Sequence, residues 1–529
     1  MALPMLLFSL FALITSFLLL ITKRNKNNIK SSHLNFPPGP PKLPIVGNLH
    51  QLGKLPHRSL SQLSNQHGPV MLLQLGRVPT LVISSPDAAR QVLKTLDHEF
   101  CTRPSLRGPK RLSYNHLDIA FAPYGVYWRD MKKMCISHVF SAKRVRATCK
   151  TRSVEVANMI KSISSSIATN TSSTTTSLGV NLTKELMSLT YRITCRVAFG
   201  ESSYHYGGTV DGKFEENVYE AMALLGAFAG SDFFPDYCVG RVLDVLKGWN
   251  ARLENCFRGL DAFYKKIIDR HEAAASMRRS STLLEEKEEE EDITDVLLRL
   301  RKDQSIGGGP GGAAFTDDNI KAIFMNLFVG GMGAPAVTVT WAMAELIRKP
   351  EKMKKLQQQI RNCVGNKGKV EEADLDQLHY LKMVTKETLR LHPPEALLVP
   401  RESMSHCKIN GYDIRPKTRV IVNAWAIGRN PEYWDDPEEF LPERFEDNLI
   451  HYKGQHFEFV PFGAGRRICP GMAMGVAMAE LALANLLYCF DWELPSEMEE
   501  EAINMDETVG LTVHKKYDLR LVPVEYVPP

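Results

Sequence analysis

Of the ten cysteines in the chain, one stands where a thiolate would be stabilised. Cys469 closes the stretch Phe462-Gly463-Ala464-Gly465-Arg466-Arg467-Ile468-Cys469-Pro470-Gly471, directly ahead of an apolar run, Met472 to Leu487, that reads as a helix. A cysteine at a helix start lies near free backbone N–H groups and the positive end of the helix dipole, and both lower a thiol pKa. Gly463, Gly465 and Gly471 let the backbone turn tightly and let a flat ligand come close. Arg467 offers a planar fork for a carboxylate on such a ligand. The other nine cysteines read as buried, inert thiols. They are too few and too irregular for a disulfide framework, and with no CxxC pair a zinc ribbon or thioredoxin-type site is not expected.

Two spaced pairs add polar chemistry. Glu387 and Arg390 stand at i, i+3 on a helical pattern, which on a surface is an ion pair contributing about 0.2–0.5 kcal/mol. Trp128 and Lys132, at i, i+4, point the same way, and both offer N–H donors. A long apolar helix is predicted from about Asn319 to Arg348, with Thr316 as its N-cap. Its middle reads Gly330-Gly331-Met332-Gly333-Ala334-Pro335. A mid-helix proline costs about 3 kcal/mol and each glycine up to about 1 relative to alanine. A kink is therefore expected, with a carbonyl near Gly331 freed by the missing N–H of Pro335. Packing alone is not expected to demand three glycines and a proline there.

These residues must be positioned by a mostly helical body. Val70–Leu75 and Thr80–Ile83 read as a strand pair around Gly76, residues 115–390 are mostly helical in pattern, and further strands fall between about 395 and 425. The class is mainly α with small β-sheets. Ser164–Ser177 and the acidic run Ser280–Asp292 read as solvated segments, and Gly307–Gly312 is a breaker without the Lys-Ser/Thr of a phosphate loop. Ala2 to Thr22 carries no charge and is long enough for a membrane-spanning helix. Lys23, Arg24, Lys26 and Lys30 follow it, which places the rest of the chain in the cytosol. The expected organisation is an anchor over 1–22, a basic and proline-rich hinge over 23–48, and one large body over 49–529. Net charge is only +5, from 65 basic and 60 acidic residues with no basic stripe, so a nucleic-acid partner is not expected.

The pattern Phe-x-x-Gly-x-Arg-x-Cys-x-Gly resembles the haem-binding signature of the cytochromes P-450, and Phe462, Gly465, Arg467, Cys469 and Gly471 match every fixed position. The resemblance runs from the anchor and the Pro37–Pro41 hinge to the C-terminus and is strongest to the large plant microsomal group. It implies the cytochrome P-450 fold around one haem b, with Cys469 as the axial thiolate ligand. Glu387-Thr388-Leu389-Arg390 resembles the family's Glu-x-x-Arg, and Pro442-Glu443-Arg444-Phe445 its second element. Together they imply a structural network of Glu387, Arg390 and Arg444. Trp128 and Lys132 resemble Trp-x-x-x-Arg, with lysine where arginine is usual, and are implied to meet a haem propionate with Arg401.

The resemblance breaks at the oxygen-activation motif. Its acid and alcohol positions are Gly333 and Ala334, following Met332, and neither can shuttle a proton. Two catalytic readings follow. One is an NADPH- and dioxygen-dependent monooxygenase in which water or a substrate hydroxyl replaces the lost pair. The other is haem chemistry without oxygen activation, such as dehydration, isomerisation or rearrangement. A third class is a non-catalytic haem-binding protein. The resemblance further implies a substrate pocket drawing on Met325, Phe328, Leu397, Leu398 and Val509, and a lipophilic plant secondary metabolite as substrate. Electrons would come from a separate NADPH-cytochrome reductase at the endoplasmic reticulum membrane, docking on basic residues such as Lys132, Lys133, Lys143 or Arg144.

Overall fold

The computed structural model describes residues 34–170, 179–200, 212–235, 238–280, 291–307, 310–495 and 503–527. The anchor over 1–22, the Lys23–Lys30 cluster and most of the acidic run lie outside the described residues. The architecture is helical, with short strands at its margins.

Val70–Leu75 and Val78–Ile83 form an antiparallel hairpin. Gly76 turns it with φ +61°, and a Cβ there would stand 2.7 Å from the Phe233 carbonyl oxygen. Only glycine satisfies both the backbone and the contact. The second strand pairs in parallel with Arg419–Val422, which pairs antiparallel with Arg401–Glu402. This sheet carries Arg401 to the interior. Further strands lie outside the window expected from the sequence: Val180–Asn181, Phe490–Glu493, Glu507–Val509, Val513–Lys515 and Arg520–Glu525. Most span four residues or fewer, too short for alternation to declare them.

The largest core cluster runs from Leu112 to Leu521 and is built mainly on two helical spans. One is the predicted long helix, here Asp317–Gly331 followed by Gly333–Ile347. The other is the cysteine helix, Met472–Cys489. By length and composition both spans could cross a membrane, yet 72% and 61% of their apolar windows are buried inside the body. A helix apolar on every side needs such a core around it. Thr316 caps the first span as predicted, with Asn319 Oδ1 accepting from its backbone N–H and its hydroxyl at 2.8 Å each.

Two carboxyl groups show what this interior does to charge. Glu387, in the helix His379–Leu391, has no exposed surface, and neither does Arg390. The pair is buried, as a structural network of Glu387, Arg390 and Arg444 requires, and is not the surface pair that spacing alone allows. Glu387 accepts two bonds from Arg390 at 2.7 and 2.8 Å, one from Arg444 Nε at 3.1 Å and one from the Leu441 backbone N–H at 2.7 Å. Arg390 spends its remaining donors on the carbonyls of Gly428, Pro437 and Glu439. The network is saturated, so Glu387→Ala, which strands a buried guanidinium, should cost about 3–5 kcal/mol by denaturant unfolding.

Glu480, in the cysteine helix, is also buried but makes no side-chain hydrogen bond or ion pair among the described residues. Burial pushes its pKa from 4.5 up to about 7, with the Lys382 ammonium pulling the other way. A carboxyl with a raised folded-state pKa stabilises below its unfolded value, and that contribution is lost as pH rises through the folded value. Glu480→Gln should therefore leave urea unfolding unchanged near about pH 4.5 and raise its midpoint above about pH 7. Equal midpoint shifts at both pH values would contradict this.

Candidate active site

The cysteine loop is a set of tight turns. Gly463 and Gly465 take φ +67° and +70°, and the Cys469 backbone N–H donates to the Phe462 carbonyl at 3.0 Å. Gly465 faces the protein: a Cβ there would lie 2.0 Å from the Leu93 carbonyl oxygen and 2.9 Å from the Asp97 carboxylate. Its role is close packing of the loop onto residues 93–97, not the approach of a flat ligand expected from the sequence. Gly463 and Gly471 do leave open space, since Cβ atoms there would meet only Leu398 and Phe140 side chains at 3.8 Å.

Behind the loop lies a cavity of about 300 Å³, open to solvent and lined mainly by apolar residues. Cys469 opens onto it. The thiol is pushed up to about 12, chiefly by burial, with the Gly471 and Met472 backbone N–H groups pulling it down. The helix start therefore acts as foreseen, but desolvation outweighs it. A directly bound metal cation would reverse that balance.

One wall is cationic. Arg467 donates to the carbonyls of Cys101, Ile119 and Ala122 at 2.7, 3.1 and 2.6 Å, and lies 3.9 Å from the Trp128 ring centroid. Burial, then the neighbouring Arg401, lowers its pKa to about 9. Trp128 Nε1 donates to Ile119 at 2.9 Å, and Lys132 donates to the Arg466 carbonyl. Arg401 binds Asp97 at 2.8 Å and the Ala464 carbonyl at 2.8 Å. Arg103 donates to the carbonyls of Ala120, Val399 and Pro400. Its pKa falls well below the usual value through burial and the Arg467 and Arg401 charges. Guanidiniums that depress one another favour an anionic partner. A thiol, open glycine backbone, apolar walls and a cationic rim fit a flat macrocycle bearing carboxylates, and so they fit haem.

The broken helix forms the wall facing the cysteine loop. It is interrupted at Met332, with Pro335 two residues into the second segment. Leu327, Gly330, Gly331, Ala334 and Thr338 line the cavity, spaced by three and four along one face. Met325, Phe328 and Met332 fall on other faces and are fully buried in the core, Phe328 within 5.2 Å of Phe199 and 5.0 Å of Phe214 by ring centroids. None of these three reaches the cavity. Leu398 does line it, whereas Leu397 packs in the small cluster behind the hairpin and Val509 is exposed. Gly333 also faces away. A Cβ there would lie 2.5 Å from Met222 Cε and 3.6 Å from Thr512. Packing thus accounts for glycine at 333, against expectation. It does not at 330 or 331, where a Cβ would meet nothing or only Thr194 at 3.4 Å.

Sequence reasoning missed Asp97, Arg103, Thr338 and Glu395. Thr338 was reachable by stepping one turn from Ala334; its hydroxyl donates to the Ala334 carbonyl at 2.8 Å. Asp97, Arg103 and Glu395 are brought in by tertiary contact from segments with no periodic signal. The docking residues are not all free either: Lys132 is held by Arg466, and Arg144 donates to the Glu291 carbonyl.

The Met222 contact gives a testable asymmetry. Gly333→Ala needs only the tip of Met222 to swing and gains helix propensity, so it should stay within about 1 kcal/mol of the parent. Gly333→Asp buries a carboxylate beside a thioether and should cost about 1–3 kcal/mol by urea unfolding.

Comparison with known proteins agrees with this geometry. The family model described as cytochrome P450 matches residues 37–521. Cytochrome P450 71B37 of Arabidopsis thaliana is 48% identical over 517 residues, covering 97% of this chain and 98% of that relative. The 4-hydroxyphenylacetaldehyde oxime monooxygenase of Sorghum bicolor is 44% identical over 512 residues, covering 96% and 92%. A zebra fish cytochrome P450 solved with abiraterone superimposes with a TM-score of 0.70 at 24% identity over 90% of this chain and 100% of that one, a likeness of fold. The chain belongs to the cytochrome P450 family and is a monooxygenase-type enzyme of that family.

Proposed function

We propose that this protein is a membrane-anchored haem-thiolate monooxygenase that takes NADPH electrons from a separate reductase and oxidises a lipophilic plant secondary metabolite. The observation that carries the reading is the single cysteine opening onto a large apolar cavity with a cationic rim. Bound haem would supply oxygen activation, and a thiolate ligand favours O–O cleavage. Cys469 would hold the iron, and Trp128, Lys132, Arg401 and Arg467 would meet the propionates. Arg467 and Trp128 would then exchange or share their present carbonyl partners. Phe462, Gly463 and Gly471 would form the surface the macrocycle lies against. The apolar lining excludes water from the reacting atoms and favours a lipophilic substrate. The Sorghum relative is named for an aromatic oxime, a small molecule of that general kind.

Membrane attachment has support from the surface. Leu43, Ile45 and Val46 are exposed, as are Val239, Val242, Val245 and Leu246 on the helix Cys238–Leu246. Gly76 N–H donates to the Val46 carbonyl and Arg77 N–H to Phe233, while Gly230 N–H binds Asp244 of that helix. These contacts link the segments that carry the two exposed groups, and the region they form is the apolar surface we assign to the membrane. It lies next to the segment that leads back to residues 1–22, as an endoplasmic reticulum anchor with a cytosolic body requires.

The second reading, haem chemistry without oxygen activation, is favoured by one observation: position 333 has no room for an acid unless Met222 moves. Under the monooxygenase reading, the full chain reduced under carbon monoxide gives the thiolate Soret band. Cys469→Ala loses it and Cys101→Ala keeps it. With substrate and reductase, NADPH and dioxygen are consumed with product. Turnover that consumes neither would sink the monooxygenase reading, and a missing band would sink the haem assignment.

A further inference from the structure

Glu395 is the one acidic residue lining a cavity whose other charged residues are all cations. Its side chain makes no hydrogen bond or ion pair among the described residues. Arg103 is the cation that acts on it electrostatically, and that guanidinium directs its Nε and Nη1 donors to the carbonyls of Ala120, Val399 and Pro400. Asp97, by contrast, is bonded to Arg401 and Arg466, and Asp118 accepts from Asn326 and the Phe121 backbone. The carboxyl groups flanking the cationic rim have protein partners, and Glu395 does not.

Its position is also fixed. The Leu398 N–H closes a turn on the Glu395 carbonyl at 3.0 Å, the Pro394 carbonyl accepts from Val513 at 2.7 Å and the Ala396 carbonyl from Trp425 at 3.2 Å. His392 stacks on Trp341 with ring centroids 4.1 Å apart and bonds Glu345 at 2.7 Å. Both partners belong to the helix Gly333–Ile347, whose Ala334 and Thr338 line the same cavity. A carboxyl held this firmly, facing apolar space, is matched by a ligand that brings its own donor and positive charge.

We propose that Glu395 anchors a basic nitrogen, so that the substrate is a lipophilic molecule carrying a protonated amine whose N–H meets this carboxylate. Burial raises the Glu395 pKa while Arg103 draws it down, and an ammonium in contact favours the ionised form. The rim cations direct their donors to Asp97 and to backbone carbonyls, and the carboxylates of bound haem would answer the charge that remains. The inference rests on the haem-thiolate reading and names its substrate class.

The test uses the full chain, haem-loaded, in lipid nanodiscs, with N,N-dibutyl-2-naphthylmethylamine and its isostere in which CH replaces nitrogen. The tertiary nitrogen is too hindered to ligate iron. Calorimetry should give the amine an affinity about 10–100-fold above the isostere, the range of a charge-assisted hydrogen bond. Glu395→Gln should bring that preference below about threefold and leave the isostere's affinity within about twofold, with the carbon-monoxide band intact. Equal binding of the two probes by the parent chain, or an undiminished preference in E395Q, overturns the proposal. Should E395Q fail to fold, the parent's preference and its retention in Glu395→Asp decide the matter. A parent chain that lacks the thiolate band but prefers the amine would refute the haem reading and leave the Glu395 anchor standing.

Discussion

The contact between the cysteine loop and residues 93–122 is the constraint on which the site depends. Gly465 lies so close to the Leu93 carbonyl that no side chain fits between them. Asp97 draws Arg401 and Arg466 onto the same spot, and Arg467 threads its guanidinium among three carbonyls of the facing segment. Arg103, Arg401, Arg466, Arg467 and Lys132 thus line one cavity with their charge only partly answered. Burial raises the cost of that arrangement and creates the demand for anions that haem carboxylates meet.

The opposite wall is organised by packing. The helix break at Met332 separates two apolar segments, and Met222 occupies the space beside Gly333. An acid at that position would be buried away from the cavity, so its absence does not open a gap over the site. Ala334 and the two preceding glycines do leave space on the cavity side. Among the described residues, the unpartnered carboxyl that lines the cavity stands instead on the segment after the Glu387 helix, at Glu395.

Much of the scaffold was legible in the sequence because short-range rules govern it. The Thr316 cap, the Gly76 hairpin and the break near Pro335 follow from backbone sterics and local hydrogen bonding. The Glu387–Arg390 pair was legible in spacing, but its weight was not, because spacing does not report burial. The pocket residues failed for a related reason. Met325 and Phe328 are apolar, and apolar character does not separate a core face from a cavity face. The helical phase does so only once one cavity residue is fixed.

The sequence by itself determined the thiolate candidate, the family and the helices that carry them, since each rests on residue type and spacing within one segment. Only the tertiary structure decided which arginines share a wall, that burial outweighs the helix dipole at Cys469, and that Glu395 faces the cavity without a partner. Those outcomes depend on desolvation and on charges from distant parts of the chain, and neither quantity exists until the segments are packed together.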